Sequence, residues 1–149
     1  MKNFLIAWSF LLVIACGRSA EKGEHDTDVS DVSGESPNRA LYDQVMDIHD
    51  EVMPKMDELF KFKTIIEEKV ANTPGMLEDR KKELKSMALA LDSANNAMMD
   101  WMHKFNPPSD SVDQEKTREY LEIEMETIKK VRDLTNETIE KAKAEINKP

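Results

Sequence analysis

Hydrophobic and polar positions change pattern twice along the 149 residues. Behind Lys2, Phe4 to Ala15 form an apolar run in which Ser9 alone is polar. From Gly17 to Pro37 the chain is rich in Ser, Asp, Glu and Gly, with Val29 and Val32 as its larger aliphatic residues. Such a stretch buries too little apolar surface to offset the entropy of ordering. From about Asn38 the apolar residues recur every three or four positions. Leu41, Val45, Ile48, Val52, Met56, Leu59, Ile66 and Val70 share one helical face. Pro54 interrupts that helix, removing a hydrogen bond to the carbonyl of Asp50, and predicts a kink near residues 50 to 54.

Asn72-Thr73-Pro74-Gly75 ends the first helix, with Thr73 as the expected N-cap of the next and Pro74 at its first position. The second helix carries Leu77, Leu84, Leu91, Met98 and Phe105 at heptad spacing, with Ala88, Ala94, Trp101 and Met102 on the intervening turns. Pro107-Pro108 stops it. Ser111 followed by Gln114 has the spacing of a capping box for a third helix. Leu121, Met125, Ile128, Val131, Thr135, Ile139, Ala142 and Ile146 line that helix. The expected fold is all-α: an elongated antiparallel three-helix bundle over residues 38–149, a helical hairpin plus a third helix. At about 1.5 Å per residue, helices of roughly 30 residues would be about 45 Å long.

The N-terminal run is too short to span a bilayer, which takes about 20 apolar residues, and it has the charge and flank of a secretory signal. Its end, Val13-Ile14-Ala15-Cys16, resembles the lipobox of bacterial lipoproteins. That resemblance implies cleavage before Cys16, diacylglycerol on its thiol and acylation of the new amino group. Residues 1–15 are then the signal and 16–37 a lipidated cysteine followed by a flexible tether, with a root-mean-square reach of roughly 25 Å. Gly17 in place of aspartate resembles outer-membrane sorting in enteric bacteria. The expected location is a cell envelope, on the periplasmic side or the surface.

Removing residues 1–15 takes Lys2 from 21 basic residues and leaves 20 against 30 acidic ones, a formal charge of −10. That charge argues against a nucleic-acid partner and against attraction to anionic headgroups, so membrane attachment would rest on the acyl chains. Cys16 is the single cysteine, and lipidation would consume it. No Ser/His/Asp or Cys/His arrangement, phosphate-cradling glycine loop, His-Glu-x-x-His motif or haem-attachment motif occurs. The acidic residues Asp47, Asp50, Glu51, Asp57 and Glu58 lack the twelve-residue loop of a calcium site and read as a solvated face. The expectation is a non-enzymatic protein that meets an envelope protein, with a helical holdase as a further alternative.

Six methionines fall in two short stretches, each with a histidine: Met46, His49, Met53 and Met56, then Met98, Met99, Met102 and His103. If the hairpin turns at residues 73–75 the two stretches meet. His49 with Met53, and Met99 with His103, are each spaced by four and share a helix face. Thioether and imidazole together suit Cu(I), so His49, Met53, Met99 and His103 are candidate copper ligands between two helices. Packing is the competing reading, since methionine fills irregular gaps beside a kink and near Trp101.

Leu41-Tyr42, the run Met46 to Met56, and Ala97 to Met102 resemble a family of small lipoproteins of Gram-negative bacteria that carries the label "viral A-type inclusion protein". The resemblance runs from about residue 40 to 147. It implies a helical, coiled-coil-like domain and brings no catalytic residue, ligand or partner with it.

Overall fold

The computed structural model describes residues 36–148; the expected signal segment, Cys16 and the expected tether up to residue 35 lie outside the described residues. These are all-α: α1 (Arg39–Val52), α2 (Lys55–Ala71), α3 (Glu78–Lys104) and α4 (Gln114–Ile146). The expected first helix is therefore two helices, parted at Met53–Pro54. Met53 N–H still donates to the His49 carbonyl at 2.9 Å, and Met56 N–H turns back to Met53 O at 3.2 Å. Proline brings no donor for the bond to Asp50 O, and the ladder breaks where it is missing. Lys55 braces the break, its ammonium lying 2.8 Å from both Glu51 Oε1 and Asn136 Oδ1 of α4.

Cross-helix contacts fix the directions. Lys63 Nζ meets Asp92 at 2.8 Å and the His49 and Trp101 rings lie 5.9 Å apart, so α1 and α2 run against α3. Asn106 N–H donates to Tyr120 Oη at 2.7 Å and Arg80 pairs with Glu145, so α4 runs against α3. Lys55 with Asn136 and Lys143 with Glu58 set α4 alongside α1 and α2. The antiparallel three-helix bundle is the observed arrangement, with its first member broken.

The core has two parts. Leu59, Ile66, Leu84, Ala88, Leu91, Ala94, Ile139 and Ala142 form an aliphatic cluster. Val45, Val52, Met98, Trp101, Met125, Ile128 and Val131 form a second, richer in sulfur and aromatic surface. Met56, just past the break, packs against both. All of these positions belong to the stripes that helical period selects. Leu77 departs from its heptad: it is 78% exposed and sits at the N-cap of α3, before the first helical turn can aim it inward.

The helix ends also differ from expectation. Thr73 does not cap α3; its hydroxyl donates to Lys69 O at 2.8 Å and closes the last turn of α2, while α3 starts only at Glu78. Asp113, not Ser111, caps α4, accepting from Lys116 N–H at 3.1 Å. Ser111 Oγ instead meets Ser109 Oγ at 2.7 Å within the loop. A carboxylate placed there also favours the positive end of the α4 dipole.

Candidate functional site

Spacing along α1, α2 and α3 decides which side chains meet along their seam. Lys63, Ile66, Glu67, Val70 and Ala71 of α2 face Leu84, Lys85, Ala88, Leu89 and Asp92 of α3 across a groove of about 420 Å³. Carried on by helical repeat, the α3 side of this groove leads to Met99, Met102 and His103 and the α2 side to Phe60, while the break at Met53–Pro54 sets His49 and α1 on a different line. The contacts at Lys63–Asp92 and His49–Trp101 bracket the register. Between them, Met53 lies at the level of Met99, and His49 at that of the turn Trp101–His103. The two Met/His stretches thus lie at one level of the bundle, but the His49 ring meets Trp101, and Met99 and His103, two residues either side of Trp101, leave α3 on its other face, so the structure does not bring the four expected copper ligands together.

Within that seam the methionines divide. Met98 is fully buried, and Met56 and Met102 pack on the core. Met53 and Met99 stay 37% and 39% exposed. His103 is exposed in the last turn of α3, next to Lys104, where a cation also suits the helix C-terminus. His49 is half-buried, its side chain 19% exposed, and its Nδ1 lies 2.8 Å from Asp50 Oδ1.

Among the described residues no Cα of α1 comes within 8 Å of a Cα of α3. Aromatic rings fill the space. Trp101 stacks on Phe105 at 4.7 Å, Tyr42 meets Phe105 at 6.0 Å, and Phe105 meets Tyr120 at 6.1 Å. Trp101 Nε1 is buried without a hydrogen-bond partner, an uncommon cost for an indole. Burial raises the Tyr120 phenol above its ordinary value, opposed by the donated N–H of Asn106.

Two polar sites went unforeseen. Asn38, buried just ahead of α1, donates through Nδ2 to Asp110 Oδ1 at 2.6 Å and to Gln114 O at 2.8 Å, tying the start of α1 to the loop before α4. Glu145 is 2% exposed and accepts from Arg80, from Lys148 at 2.8 Å and from Lys69 at 3.5 Å. The clue to Glu145 was its place seven after Thr138 and three after Ala142, both buried.

No group of three or more His, Cys, Asp or Glu among the described residues converges as a metal site would require. None of the described helices is long and apolar enough to cross a membrane. Comparisons with family models, curated proteins and solved structures give no match for this chain.

Proposed function

We propose that this chain is a lipid-anchored protein of a bacterial envelope whose helical bundle works through contacts with another envelope protein, without catalysis. One observation carries the anchoring: a short apolar run behind Lys2 that ends in Val13-Ile14-Ala15-Cys16. The chain's resemblance to small Gram-negative lipoproteins points the same way. Several of the bundle's ionisable groups support the second half of the reading, because neighbouring side chains engage them within and between helices. A hydrogen bond from Lys55 holds the Glu51 carboxyl below its usual range, Lys116 does the same for Asp113, and Asp92 raises the Lys63 ammonium. Phe60 and Leu89, 71% and 68% exposed, offer apolar surface of the kind a partner protein covers.

The test is expression of the full chain in a Gram-negative host supplied with an alkyne-tagged palmitate. The wild type takes up the label and runs as a shortened mature form, whereas Cys16→Ser takes up none and accumulates as precursor. A wild-type chain that stays unlabelled and uncleaved overturns the reading.

A further inference from the structure

We propose that the outer face of the α2–α3 groove binds a second copy of this chain, the two copies running in the same direction about a two-fold axis along the groove. The proposal rests on the reading of the chain as an anchored bundle that works by contact, and it names what covers the surface around Phe60 and Leu89; the envelope partner then meets a pair of bundles. Ile66, Val70, Ala71, Leu84 and Ala88 line the groove with apolar surface. Each of its edges carries a large apolar residue that the chain itself leaves open, Phe60 on α2 and Leu89 on α3, 71% and 68% exposed. Met99, 39% exposed, continues the α3 edge by helical repeat.

The charges around the groove select the occupant. Lys63 Nζ meets Asp92 Oδ1 at 2.8 Å and sets the register of α2 against α3. By that register Glu67 stands within a turn of the height of Lys85, Phe60 about a turn from that of Met99, and Leu89 level with Ile66. An axial two-fold lays α2 of each copy on α3 of the other at the same height. Lys63 then faces the partner's Asp92 as well as its own, so four charges alternate in sign. Glu67 and Lys85, which also line the groove, have no ion-pair partner among the described residues, and each gains an opposite charge from the other copy. Phe60 comes against the partner's Met99, a sulfur–aromatic contact, and Leu89 against the partner's Ile66.

The start of α1 decides between the two ways of laying one groove on another. A two-fold across the groove would set the two α1 starts at opposite ends of the pair. The axial two-fold keeps them at one end, and with them both segments that run back to Cys16, so that both lipids reach the same membrane. From the level of Met99 to that of Ala71 the face is roughly 24 Å long at about 1.5 Å per residue, and it is about two helix diameters wide. A pair of such faces buries on the order of 1,000 Å², the low end for a specific contact. Anchors in one membrane raise the effective concentration and make that contact sufficient.

The full chain carrying p-benzoylphenylalanine at position 89 is purified and irradiated at about 0.1 mM, below the millimolar effective concentration of tethered partners. A band of twice the chain mass forms, and mass spectrometry of that band places the cross-link within residues 63–70 of the other copy, on its α2. Lys63→Glu sets like charges against each other across the pair and lowers the yield of the band about tenfold, while Lys63→Glu/Asp92→Lys restores it. Both variants keep their far-UV circular dichroism, because the pair they alter is partly exposed. A chain that stays at single mass, a cross-link to the partner's α3, a yield unchanged in Lys63→Glu, or no recovery in the charge-swapped chain overturns the proposal. Cross-linking of the purified chain needs no lipid, so its failure is distinct from a failure to take up palmitate.

Discussion

Replacing Arg80 and replacing its partner Glu145 should affect stability in different ways, although both changes break the same ion pair. Glu145 is 2% exposed, whereas Arg80, Lys69 and Lys148 are 31%, 36% and 59% exposed on their side chains. Losing the partner of a buried charge costs about 3–5 kcal/mol when nothing else compensates it. In Arg80→Met two lysines remain beside the carboxylate, at 2.8 and 3.5 Å, so the loss should be near 2 kcal/mol, below that range. For the 113 described residues, with unfolding entropy of about 2.1 cal/mol/K per residue, 2 kcal/mol lowers Tm by about 8 °C. Glu145→Leu removes the buried charge itself, and the three cations turn to water from exposed positions. Its outcome should lie between no change and a gain of about 1 kcal/mol. Thermal and urea unfolding of both variants, followed by circular dichroism at neutral pH, decides the matter. If Glu145→Leu falls by as much as Arg80→Met, the carboxylate is a net stabiliser and the reasoning from its burial is wrong.

Two further outcomes follow from single groups. Thr135 is fully buried and its Oγ1 lacks a partner, so Thr135→Val, nearly the same in shape, should raise stability by about 1 kcal/mol in the same unfolding assay. The pH profile has two edges of opposite sign. Asp113, Glu115 and Glu126 are held below their ordinary values of 3.8 and 4.5, first by side-chain hydrogen bonds from Lys116, Arg118 and Lys129. Their contribution is present above those values and is lost as pH falls through the lower folded ones. Lys63, Lys116 and Lys143 are raised above 10.5 by the hydrogen bonds they donate to Asp92, Asp113 and Glu58, so their contribution is full below 10.5 and is lost as pH climbs past the folded values. Stability from urea titrations should therefore show a broad plateau between these edges, with both edges softened by added salt because these pairs are exposed or only partly buried.

Helical period was the legible part of the sequence, because a single apolar face is what burial in a bundle requires. It selects Val45, Val52, Leu59 and Ile66, then Leu84, Leu91 and Met98, then Leu121, Ile128 and Ile139, all of which are buried. Period says less about helix ends, where hydrogen bonds of single side chains decide. Asp113 and Ser111 both have the chemistry of an N-cap, and the start of α4 chose between them. Thr73 has a hydroxyl that serves the end of one helix as well as the beginning of another. Pairing of distant groups was least legible. Nothing local links Asn38 to Asp110, or Glu145 to Arg80 and Lys69; those contacts exist only once three helices stand in register.

The two halves of the core suggest why the soft side chains collect where they do. Around Leu59, Ile66, Leu84 and Leu91 the helices pack aliphatic side chains, and the Glu145 ion pairs tie α2, α3 and α4 together at that end. Beyond Met53–Pro54 the geometry changes, because the missing hydrogen bond lets α1 lie against α4 while it stands off α3. Compact aliphatic residues cannot fill the wider gap without leaving voids, whereas long or flat ones can: Trp101, Phe105, Tyr42 and the methionines. The packing at this end thus has its origin in the proline that parts α1 from α2. The methionines divide within it by exposure, with Met98 inside and Met53 and Met99 at the surface.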